Sequence, residues 1–317
     1  MNVLIVGLGG IGQRYLRILK KNFKNTNIYA LRSSNNNFEI SDNLVVNHSI
    51  DIVDKYDIKA LRSIDEIRTI NLDFAIITSP TSKHLRYHRV FAERKIPLLI
   101  EKPLSNSYSD AIKAFNYSKS NNNIMLTGYM LRFHPAVKKF KKLIDTSYLG
   151  LINHITVDTF SFMPGWHPYE NYKNLYASKK KLGGGVMLTE SHEIDLIIWL
   201  FGMPKKALSI NSKISSFKID VEDTAASILK YDSKDNKFLV TINQCFTSKI
   251  IKRSIKIYGQ KGLLELDLIN NCIWYKKNKL RKIFIAKNLQ RNDLFLSQIN
   301  YFIKFINNKI GKNSKVL

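Results

Sequence analysis

The stretch NVLIVGLGGIG, residues 2–12, decides the fold of the first half of the chain. NVLIVG is a short β-branched apolar run, typical of a strand buried on both faces. Gly7, Gly9 and Gly12 follow in the G-x-G-x-x-G spacing, and the amphipathic segment GQRYLRILKKN comes next. A glycine-rich turn between a strand and a helix predicts a dinucleotide-binding loop, and a turn without a ligand is the alternative.

The glycines of this loop have separate physical tasks. Gly7 permits a tight turn, Gly9 lets the backbone approach a pyrophosphate, and Gly12 lets the helix pack close to the strand. The helix N-terminus presents free N–H groups and a partial positive charge to the phosphates. The residues of the loop predicted to contact the cofactor are Gly7, Gly9, Gly10, Ile11 and Gly12.

The end of the second predicted strand, NIYALRSS (residues 27–34), bears on the choice of dinucleotide. A carboxylate at this place binds the ribose 2′-hydroxyl of NAD, whereas an arginine suits the 2′-phosphate of NADP. The strand ends in Arg32 and Ser33, and the first carboxylate is Glu39. We therefore expect Arg32 and Ser33 to contact NADP(H), the preferred cofactor. NAD(H) stays open, because Arg32 could equally be solvated or stack on the adenine of either cofactor.

Strands and helices continue to alternate through LDFAIITSP, SKHLRYHRVFAERK, IPLLIEKPL and SDAIKAFNYSK, up to NIMLTGYMLRF. This alternation predicts an α/β fold with a parallel, doubly wound sheet. Ligands bind at the carboxyl edge of such a sheet, so residues that end or follow its strands are candidate cofactor contacts. They are Ser79, Pro80, His84, Glu101 and Lys102. Lys102 could hold a substrate hydroxyl or a nicotinamide ribose, or could be a surface lysine.

A triple glycine opens the stretch GGGVMLTESHEID, residues 183–195. Glycines here would let the backbone pass close to a nicotinamide or a substrate, where a Cβ would collide. A helix follows and stops at Gly202. His192 at its start is suited to proton transfer near neutral pH, or could be a packed or capping residue. Asp195 shares its face, and would either orient the imidazole or only cap or pair on the surface.

Strand-like segments dominate the second half of the chain. They are INHITVDTFSF, AASILKY, KFLVTINQCF, SIKIYG and GLLELDL, and an apolar-striped helix, DLFLSQINYFIKFINNKI, follows them. Strands in a row with polar turns predict an antiparallel sheet, with one face packed and the other free to pair with another subunit.

The motifs of residues 1 to about 205 resemble those of the Gfo/Idh/MocA oxidoreductase family, named for glucose-fructose oxidoreductase and inositol dehydrogenase. They are GLGGIGQRYLRIL, TSPTSKH, EKPLS, GYMLRFHP and LGGGVMLTESHEIDLIIWLFG, in this order. The resemblance implies a Rossmann domain, residues 1–128, and a C-terminal α+β domain, residues 129–317. The open, mostly antiparallel sheet of the second domain would carry the substrate site and a homo-oligomer interface.

The resemblance also implies hydride transfer between a nicotinamide cofactor and a hydroxyl or keto carbon of a sugar. Lys102 matches the lysine of the family's EKP motif, and His192 matches its catalytic histidine. The family usually carries an acidic residue three or four positions before that histidine, where this chain has Leu188 and Thr189. The nearest upstream carboxylate is Glu190. This departure motivates an alternative, a non-catalytic dinucleotide-binding sensor or scaffold protein.

The LRFHP and WHPYE stretches resemble family members linked to bacterial surface-polysaccharide and nonulosonic-acid pathways. Their side chains can stack on sugar rings and bind hydroxyls or carboxylates, although a packed loop would have the same composition. Besides His192, the candidate substrate contacts are Arg132, His134, Trp166, His167 and Tyr169.

The composition narrows the class of protein. The 317 residues include 50 Lys and Arg against 25 Asp and Glu, a net charge of +25. A polyanionic partner would suit this charge, but no basic-aromatic module is present, so we expect a Lys- and Asn-rich surface and no specific nucleic acid. Cys245 and Cys272 lack metal-ligand spacing, which predicts no metal and a reducing compartment. Without a signal peptide or an apolar span, we expect a cytoplasmic protein that does not bind membranes.

Overall fold

Two sheets organise the chain in a computed structural model that describes residues 1–32, 37–233 and 236–310. The strands of the N-terminal half are β1 (Asn2–Val6), β2 (Asn27–Leu31), β3 (Phe38–Ile40), β4 (Val46–Asp51), β5 (Ile58–Leu61), β6 (Phe74–Ile77), β7 (Leu98–Glu101) and β8 (Met125–Gly128). Its helices are α1 (Gly10–Asn22), α2 (Ile52–Lys55), α3 (His88–Glu93) and α4 (Tyr108–Ser120). Short 3-10 turns span Ile64–Thr69 and Thr81–Lys83.

The first sheet has six parallel strands in the order β5-β2-β1-β6-β7-β8, which confirms the predicted doubly wound sheet. Its central strands are apolar and buried from Val3 to Val6 in β1 and along all of β6, as burial between two helical layers requires. The strand order reverses between β1 and β6, so the loops after these strands diverge around a crevice. The hairpin β3–β4 forms a separate two-stranded sheet that the sequence pattern did not predict.

The second half contains the remaining helices and strands. They are α5 (Pro135–Asp145), β9 (Ile152–Phe162), α6 (Val186–Thr189), α7 (His192–Phe201), β10 (Lys206–Ser212), β11 (Thr224–Asp232), β12 (Lys237–Cys245), β13 (Thr247–Gly259), β14 (Gly262–Asp267), β15 (Cys272–Lys276), β16 (Leu280–Ile285) and α8 (Arg291–Ile310). Five 3-10 turns also lie in this half, at Met130–Phe133, Met163–Gly165, Tyr172–Asn174, Tyr176–Ser178 and Lys180–Leu182.

The second sheet has eight strands in the order β10-β11-β12-β9-β13-β14-β15-β16. Among the strand pairs of the described residues, only β9–β12 is parallel, so the prediction of a mostly antiparallel sheet is confirmed. Buried and exposed residues alternate along β11, because one face of the sheet packs on the core and the other is open.

The last helix, α8, packs against the first sheet and α1 rather than closing the second sheet. The ring of Phe295 meets Tyr15 of α1 edge-on at 5.3 Å, and Phe302 meets Phe74 of β6 in the same way at 5.6 Å. The domain boundary at residue 128 stays a prediction. Helix α8 follows this boundary in the chain but packs on residues that precede it. None of the helices in the described ranges has both the length and the apolarity that a bilayer span requires.

Candidate active site

The glycine-rich loop between β1 and α1 is tight at one end and open in the middle. A Cβ on Gly12 would lie 2.0 Å from the carbonyl oxygen of Gly7 and 2.8 Å from Oγ1 of Thr78, so no larger residue fits there. Gly7 has a φ of +97°, a left-handed conformation that favours glycine. A Cβ on Gly9, in contrast, would meet nothing within 4 Å. The open space at Gly9 is where a phosphate group could approach the backbone.

His84 ties together two loops at the carboxyl edge of the first sheet. Its Nδ1 lies 2.8 Å from the carbonyl oxygen of Pro103, and its Nε2 lies 2.8 Å from that of Ser79. Burial lowers the pKa of His84, which favours the neutral ring, and a neutral ring donates to only one of the two carbonyls. The Oγ of Ser79 is buried without a hydrogen-bond partner, and Pro80 precedes the Thr81–Lys83 turn.

Lys102 follows β7 directly and reaches across to the second half of the chain. Its Nζ donates a hydrogen bond to the carbonyl oxygen of Thr189, the last residue of α6. Burial lowers the pKa of Lys102, and the carboxylates of Glu190 and Glu101 oppose that shift. The side chain is therefore placed at the link between α6 and α7, next to the start of the helix that carries His192.

Glu101 faces a buried hydrogen-bond network, so the expectation of a cofactor contact through this side chain does not match its surroundings. Its Oε1 accepts a hydrogen bond from the hydroxyl of Tyr15 at 2.7 Å, and that hydroxyl accepts one from Nε2 of Gln298, also at 2.7 Å. Burial raises the pKa of Glu101. The residue joins the end of β7 to α1 and α8.

His192, at the start of α7, is buried, and Lys102 binds the link that precedes this helix. Its ring meets Tyr129 edge-on at 5.6 Å, and its Nδ1 is buried without a hydrogen-bond partner. Burial lowers the pKa of His192 well below the usual value, and the positive charges of Lys102, Arg253 and Arg291 add to the effect. Lys102 thus binds the end of α6, His192 begins α7, and the lowered pKa of His192 favours a neutral imidazole.

The triple glycine is packed against other atoms of this chain. A Cβ on Gly183 would lie 2.8 Å from Cβ of Thr81 in the first half of the chain. One on Gly184 would meet a backbone carbonyl oxygen at 2.4 Å, and one on Gly185 would lie 2.2 Å from the carboxylate of Glu222. The expectation that these glycines make room for a ligand is corrected in part, because their neighbours are side chains and backbone of this chain.

Asp195 does not contact His192, so the expectation that it orients the imidazole is wrong. Its two carboxylate oxygens accept hydrogen bonds from Nε and Nη2 of Arg132, at 2.8 and 2.5 Å. Arg132, predicted as a substrate contact, is thereby committed to an ion pair, and its guanidinium also lies over Trp199. These residues and Tyr129 line a cavity of about 610 Å³ beside β8.

His134 is a structural residue, contrary to the expectation that it binds substrate. It caps the N-terminus of α5, where the N–H of Ala136 donates to its Nδ1 at 3.1 Å. Its Nε2 lies 2.9 Å from Oδ1 of Asn271, and only 2% of the residue is exposed. Both ring nitrogens are therefore occupied within the protein.

The aromatic loop between β9 and α6 lies partly over the glycine-rich loop. Trp166 packs edge-on against the buried ring of Phe246, which leaves it less free to stack on a sugar than expected. His167 stacks on Tyr169 and its Nδ1 lies 2.7 Å from Oε1 of Glu170. The Tyr169 hydroxyl lies 3.3 Å from the position of a Cβ on Gly10. Tyr169 therefore faces the start of α1, and its pKa is raised to about 12, foremost by burial.

Arg32 lies at the end of β2, as predicted, and Ser33 lies outside the described residues. The Nη2 of Arg32 donates to Oδ1 of Asn37 at 2.6 Å, whereas its Nη1 is buried without a partner. No cluster of three or more His, Cys, Asp or Glu side chains in the described ranges is placed to hold a metal ion.

Three residues of the site escaped sequence reasoning. Tyr129 packs on His192, Glu193 follows His192 directly, and Arg253 pairs with Glu193 through Nε at 2.6 Å. The HEID pattern contained a signal for Glu193, because an acidic residue in a mostly apolar helix needs a partner. No spacing rule links Arg253, 60 residues further along the chain, to that helix.

Both halves of the chain match models of known protein families. The model of the Gfo/Idh/MocA oxidoreductase family, with an NAD-binding Rossmann fold, matches residues 1–129, and that of the Gfo/Idh/MocA C-terminal domain matches residues 137–265. An uncharacterised oxidoreductase of Streptococcus pneumoniae is 22% identical over 294 residues, which cover 91% of this chain and 74% of that protein. The myo-inositol 2-dehydrogenase of Thermotoga maritima is 22% identical over 319 residues, 96% of this chain and 87% of that protein.

Solved structures share the fold. The WlbA dehydrogenase of Bordetella pertussis, crystallised with NADH and UDP-GlcNAcA, gives a TM-score of 0.73 at 16% identity, over 98% of this chain and 83% of that one. The two family models together span most of both sheets, and the crevice between β1 and β6 lies where such folds bind a dinucleotide. The chain therefore belongs to the Gfo/Idh/MocA oxidoreductase family, with an N-terminal NAD-binding Rossmann fold.

Proposed function

We propose that this protein is an NADP(H)-dependent oxidoreductase that acts on a hydroxyl or keto carbon of a sugar or sugar derivative. The observation that carries the proposal is the placement of Lys102 and His192 at one link: the ammonium group binds the carbonyl of Thr189, and His192 begins α7 three residues further on, where the charge of Lys102 lowers its pKa. A cation and a proton acceptor then lie at the two ends of the link between α6 and α7.

His192 and Lys102 have complementary tasks in this chemistry. The nicotinamide, when bound, accepts or supplies the hydride. In oxidation, the neutral imidazole of His192 takes the proton of the substrate hydroxyl, and its low pKa keeps it ready for this at neutral pH. Lys102 donates a hydrogen bond to the same oxygen and stabilises the negative charge that develops on it.

The residues around the glycine-rich loop fit a dinucleotide. The open space at Gly9 admits a pyrophosphate, and the unpartnered Oγ of Ser79 offers a hydrogen bond at the neighbouring loop. Tyr169 would close over the same loop from the other side. The preference for NADP(H) is supported by the buried, unpartnered Nη1 of Arg32, because an unused guanidinium donor at the end of β2 suits a 2′-phosphate.

A sugar derivative is the proposed substrate. Two related proteins are associated with polyhydroxylated molecules: one is a myo-inositol 2-dehydrogenase, and the WlbA dehydrogenase was crystallised with UDP-GlcNAcA. A relative of Mediterraneibacter gnavus, 21% identical over 91% of this chain and 73% of its own length, is a 2,7-anhydro-N-acetylneuraminate hydratase. Together with the LRFHP and WHPYE stretches, these relatives support a role in surface-polysaccharide or nonulosonic-acid metabolism.

A substrate screen with the full-length chain tests the proposal. Nicotinamide absorbance is followed with NADP(H) or NAD(H) and a panel of nucleotide-linked sugars, cyclitols, nonulosonic acids and anhydro sugars. We expect a change that depends on one class of sugar, with NADP(H) used at a lower KM than NAD(H). Tight cofactor binding without turnover on any compound would instead support the sensor or scaffold function.

A further inference from the structure

The cavity of about 610 Å³ beside β8 lies at the outer edge of the first sheet. Its volume is within the range of about 300–1,000 Å³ that is typical of small-molecule sites. Phe115 of α4 and Tyr301 of α8 line it and are 40% and 46% exposed, so the cavity opens to solvent. Among the described residues that line it, none belongs to the glycine-rich loop, and neither Lys102 nor His192 is included. The cavity is therefore separate from the proposed active site.

Aromatic side chains form a large part of the cavity wall. The rings of Phe133 and Tyr301 lie 5.4 Å apart at an angle of 57°. Such rings make offset-stacked and edge-to-face contacts with another ring, which add to the favourable burial of apolar area. Together the aromatic wall consists of Phe115, Tyr129, Phe133, Trp199 and Tyr301. This wall favours a planar aromatic ligand.

The charged side chains of the cavity have a positive surplus. Arg132 and Asp195 neutralise each other through two hydrogen bonds. Lys119 of α4 and Lys138 of α5 also line the cavity, and in the described part of the chain neither of them takes part in an ion pair. The Nζ of Lys138 lies 5.6 Å from the centre of the Phe133 ring, which places its charge at the aromatic wall. Two unpaired cations beside aromatic rings favour an anionic ligand.

The backbone of β8 presents hydrogen-bond donors to the same cavity, because β8 is the last strand of its sheet. The N–H of Leu98 in β7 donates to the carbonyl oxygen of Ile124 at 2.8 Å, and alternate residues of a strand face the same neighbour. The N–H groups of Met125 and Thr127 therefore face away from β7, and both residues line the cavity. The strand spans only Met125–Gly128, which is short for pairing with a strand of another protein but sufficient to bind one anionic group.

We propose that this cavity is a second ligand site, which binds a small aromatic molecule that carries one anionic group. The ring of the ligand packs on the aromatic wall. Its anionic group faces Lys119, Lys138 and the outward N–H groups of β8. This site goes beyond the proposed function, since none of its contacts takes part in hydride transfer.

A titration with anilinonaphthalene sulfonate tests the site, because this probe joins aromatic rings to one sulfonate and fluoresces when it leaves water. The full-length chain is titrated alone and with an excess of NADP+ or NAD+, which compete for the glycine-rich loop. In each case we expect saturable binding of about one probe per chain, with a dissociation constant on the order of 10 µM. No saturable binding, or complete loss of the signal with either dinucleotide, would overturn the proposal.

Matched charge reversals locate the bound probe. The double variant Lys119→Glu, Lys138→Glu reverses both unpaired cations of the cavity, and we expect its dissociation constant to be higher by about tenfold or more. The double variant Lys113→Glu, Lys142→Glu makes the same change of net charge at exposed positions of the same two helices that do not line the cavity. Its dissociation constant should differ from that of the wild type by less than about twofold. Equal weakening in the two double variants would show that only net charge attracts the probe, and would refute the site.

Removal of one ring tests the aromatic wall. Phe115→Ala should raise the dissociation constant by about threefold or more, as the loss of an aromatic contact requires. Tyr108→Ala removes a ring that is 84% exposed on the same helix and does not line the cavity, so it should leave binding unchanged. Circular dichroism checks that both variants fold, and Tyr301→Ala replaces Phe115→Ala if the latter does not. Unchanged affinity in the folded wall variant would contradict the proposal.

The second site and the proposed function can fail separately. Turnover on a sugar by a chain that does not bind the probe would contradict the second site alone. Binding of the probe by a chain that turns over no sugar would contradict the proposed function alone.

Discussion

Gly9 and Gly12 lie three residues apart in the same loop, and their surroundings are opposite. A Cβ at position 12 would collide with the carbonyl oxygen of Gly7 at 2.0 Å, whereas a Cβ at position 9 would enter open space. The sequence spacing predicted this difference, because each position of the G-x-G-x-x-G motif has a fixed geometric task.

The pair gives a test with an internal control. Gly12→Ala should lower the free energy of unfolding by about 1–3 kcal/mol, as an overpacked contact does. Gly9→Ala should leave stability nearly unchanged and weaken cofactor binding, because its methyl group would occupy the phosphate approach. Thermal unfolding and cofactor titration measure the two effects, and an unaltered cofactor affinity in Gly9→Ala would contradict the assigned site.

The proposed tasks of His192 and Lys102 give the site an expected pH dependence. In oxidation, His192 must be neutral, and its pKa lies well below the usual 6.5, so turnover should persist at pH values where an ordinary histidine is protonated. Lys102 must be charged, and its pKa is lowered from 10.5. As the pH rises, turnover should therefore begin to fall before pH 10.5. The pH profile of kcat/KM measures both limbs, and an acid limb at or above 6.5 would contradict the neutral imidazole.

Not every residue of the site could be predicted from sequence. His192 and Lys102 were identified through motifs that resemble a family. His134 was expected to bind substrate, but its position before Pro135 makes it the N-cap of α5, and both ring nitrogens are used there. Asp195 shares a helix face with His192, but a shared face does not exclude a closer partner from elsewhere in the chain. That partner is Arg132, which binds the carboxylate of Asp195.

At the scale of elements, the Arg132–Asp195 ion pair joins the Met130–Phe133 turn to α7. The side chain of Asp195 is 10% exposed and that of Arg132 is 39% exposed. The pair therefore holds the helix that carries His192 against the end of the first sheet.

Asp195→Asn should lower the free energy of unfolding by about 1–3 kcal/mol, since it weakens two charge-assisted hydrogen bonds. It should leave the pH profile of turnover unchanged. The control is Asp145→Asn in the exposed Lys141–Asp145 pair of α5, which should cost about 0.5 kcal/mol or less. Chemical denaturation compares the two variants. A profile shifted by Asp195→Asn with no loss of stability would restore the orienting role that the sequence suggested.

The strands differ in how well the sequence predicted them. β9 coincides with the predicted segment INHITVDTFSF, because its apolar residues alternate. β10, β15 and β16 were missed: β10 and β15 are short, and the apolar residues of β16 do not alternate with polar ones. The apolar stripe of α8 predicted a packed helix but not its partner, because periodicity reports a face and not what covers it.

At the scale of the whole molecule, the open face of the second sheet is the predicted subunit interface. Leu208 and Ile228 are cross-strand neighbours on β10 and β11, and they are 65% and 45% exposed. Leu239 of β12 is 45% exposed. With a net charge of +25, mutual repulsion would otherwise favour a monomer, so an association that forms must be driven by apolar burial.

We expect a homo-oligomer that Ile228→Lys dissociates, because the lysine would bury a charge between two positively charged chains. Light scattering after gel filtration measures the mass, and Tyr108→Lys on the exposed surface of α4 is the control that should leave it unchanged. A monomeric wild-type chain would contradict the predicted interface and would leave the proposed chemistry unaffected.

The most direct test of the proposed chemistry compares the wild-type chain with His192→Ala on the sugar that the screen identifies. Both proteins should bind the nicotinamide cofactor with nearly equal affinity, because His192 lies outside the glycine-rich loop. Turnover should fall by about a hundredfold or more in the variant, as loss of a general acid–base requires. Equal turnover in the two proteins would contradict the assignment of His192 as the residue that moves the proton.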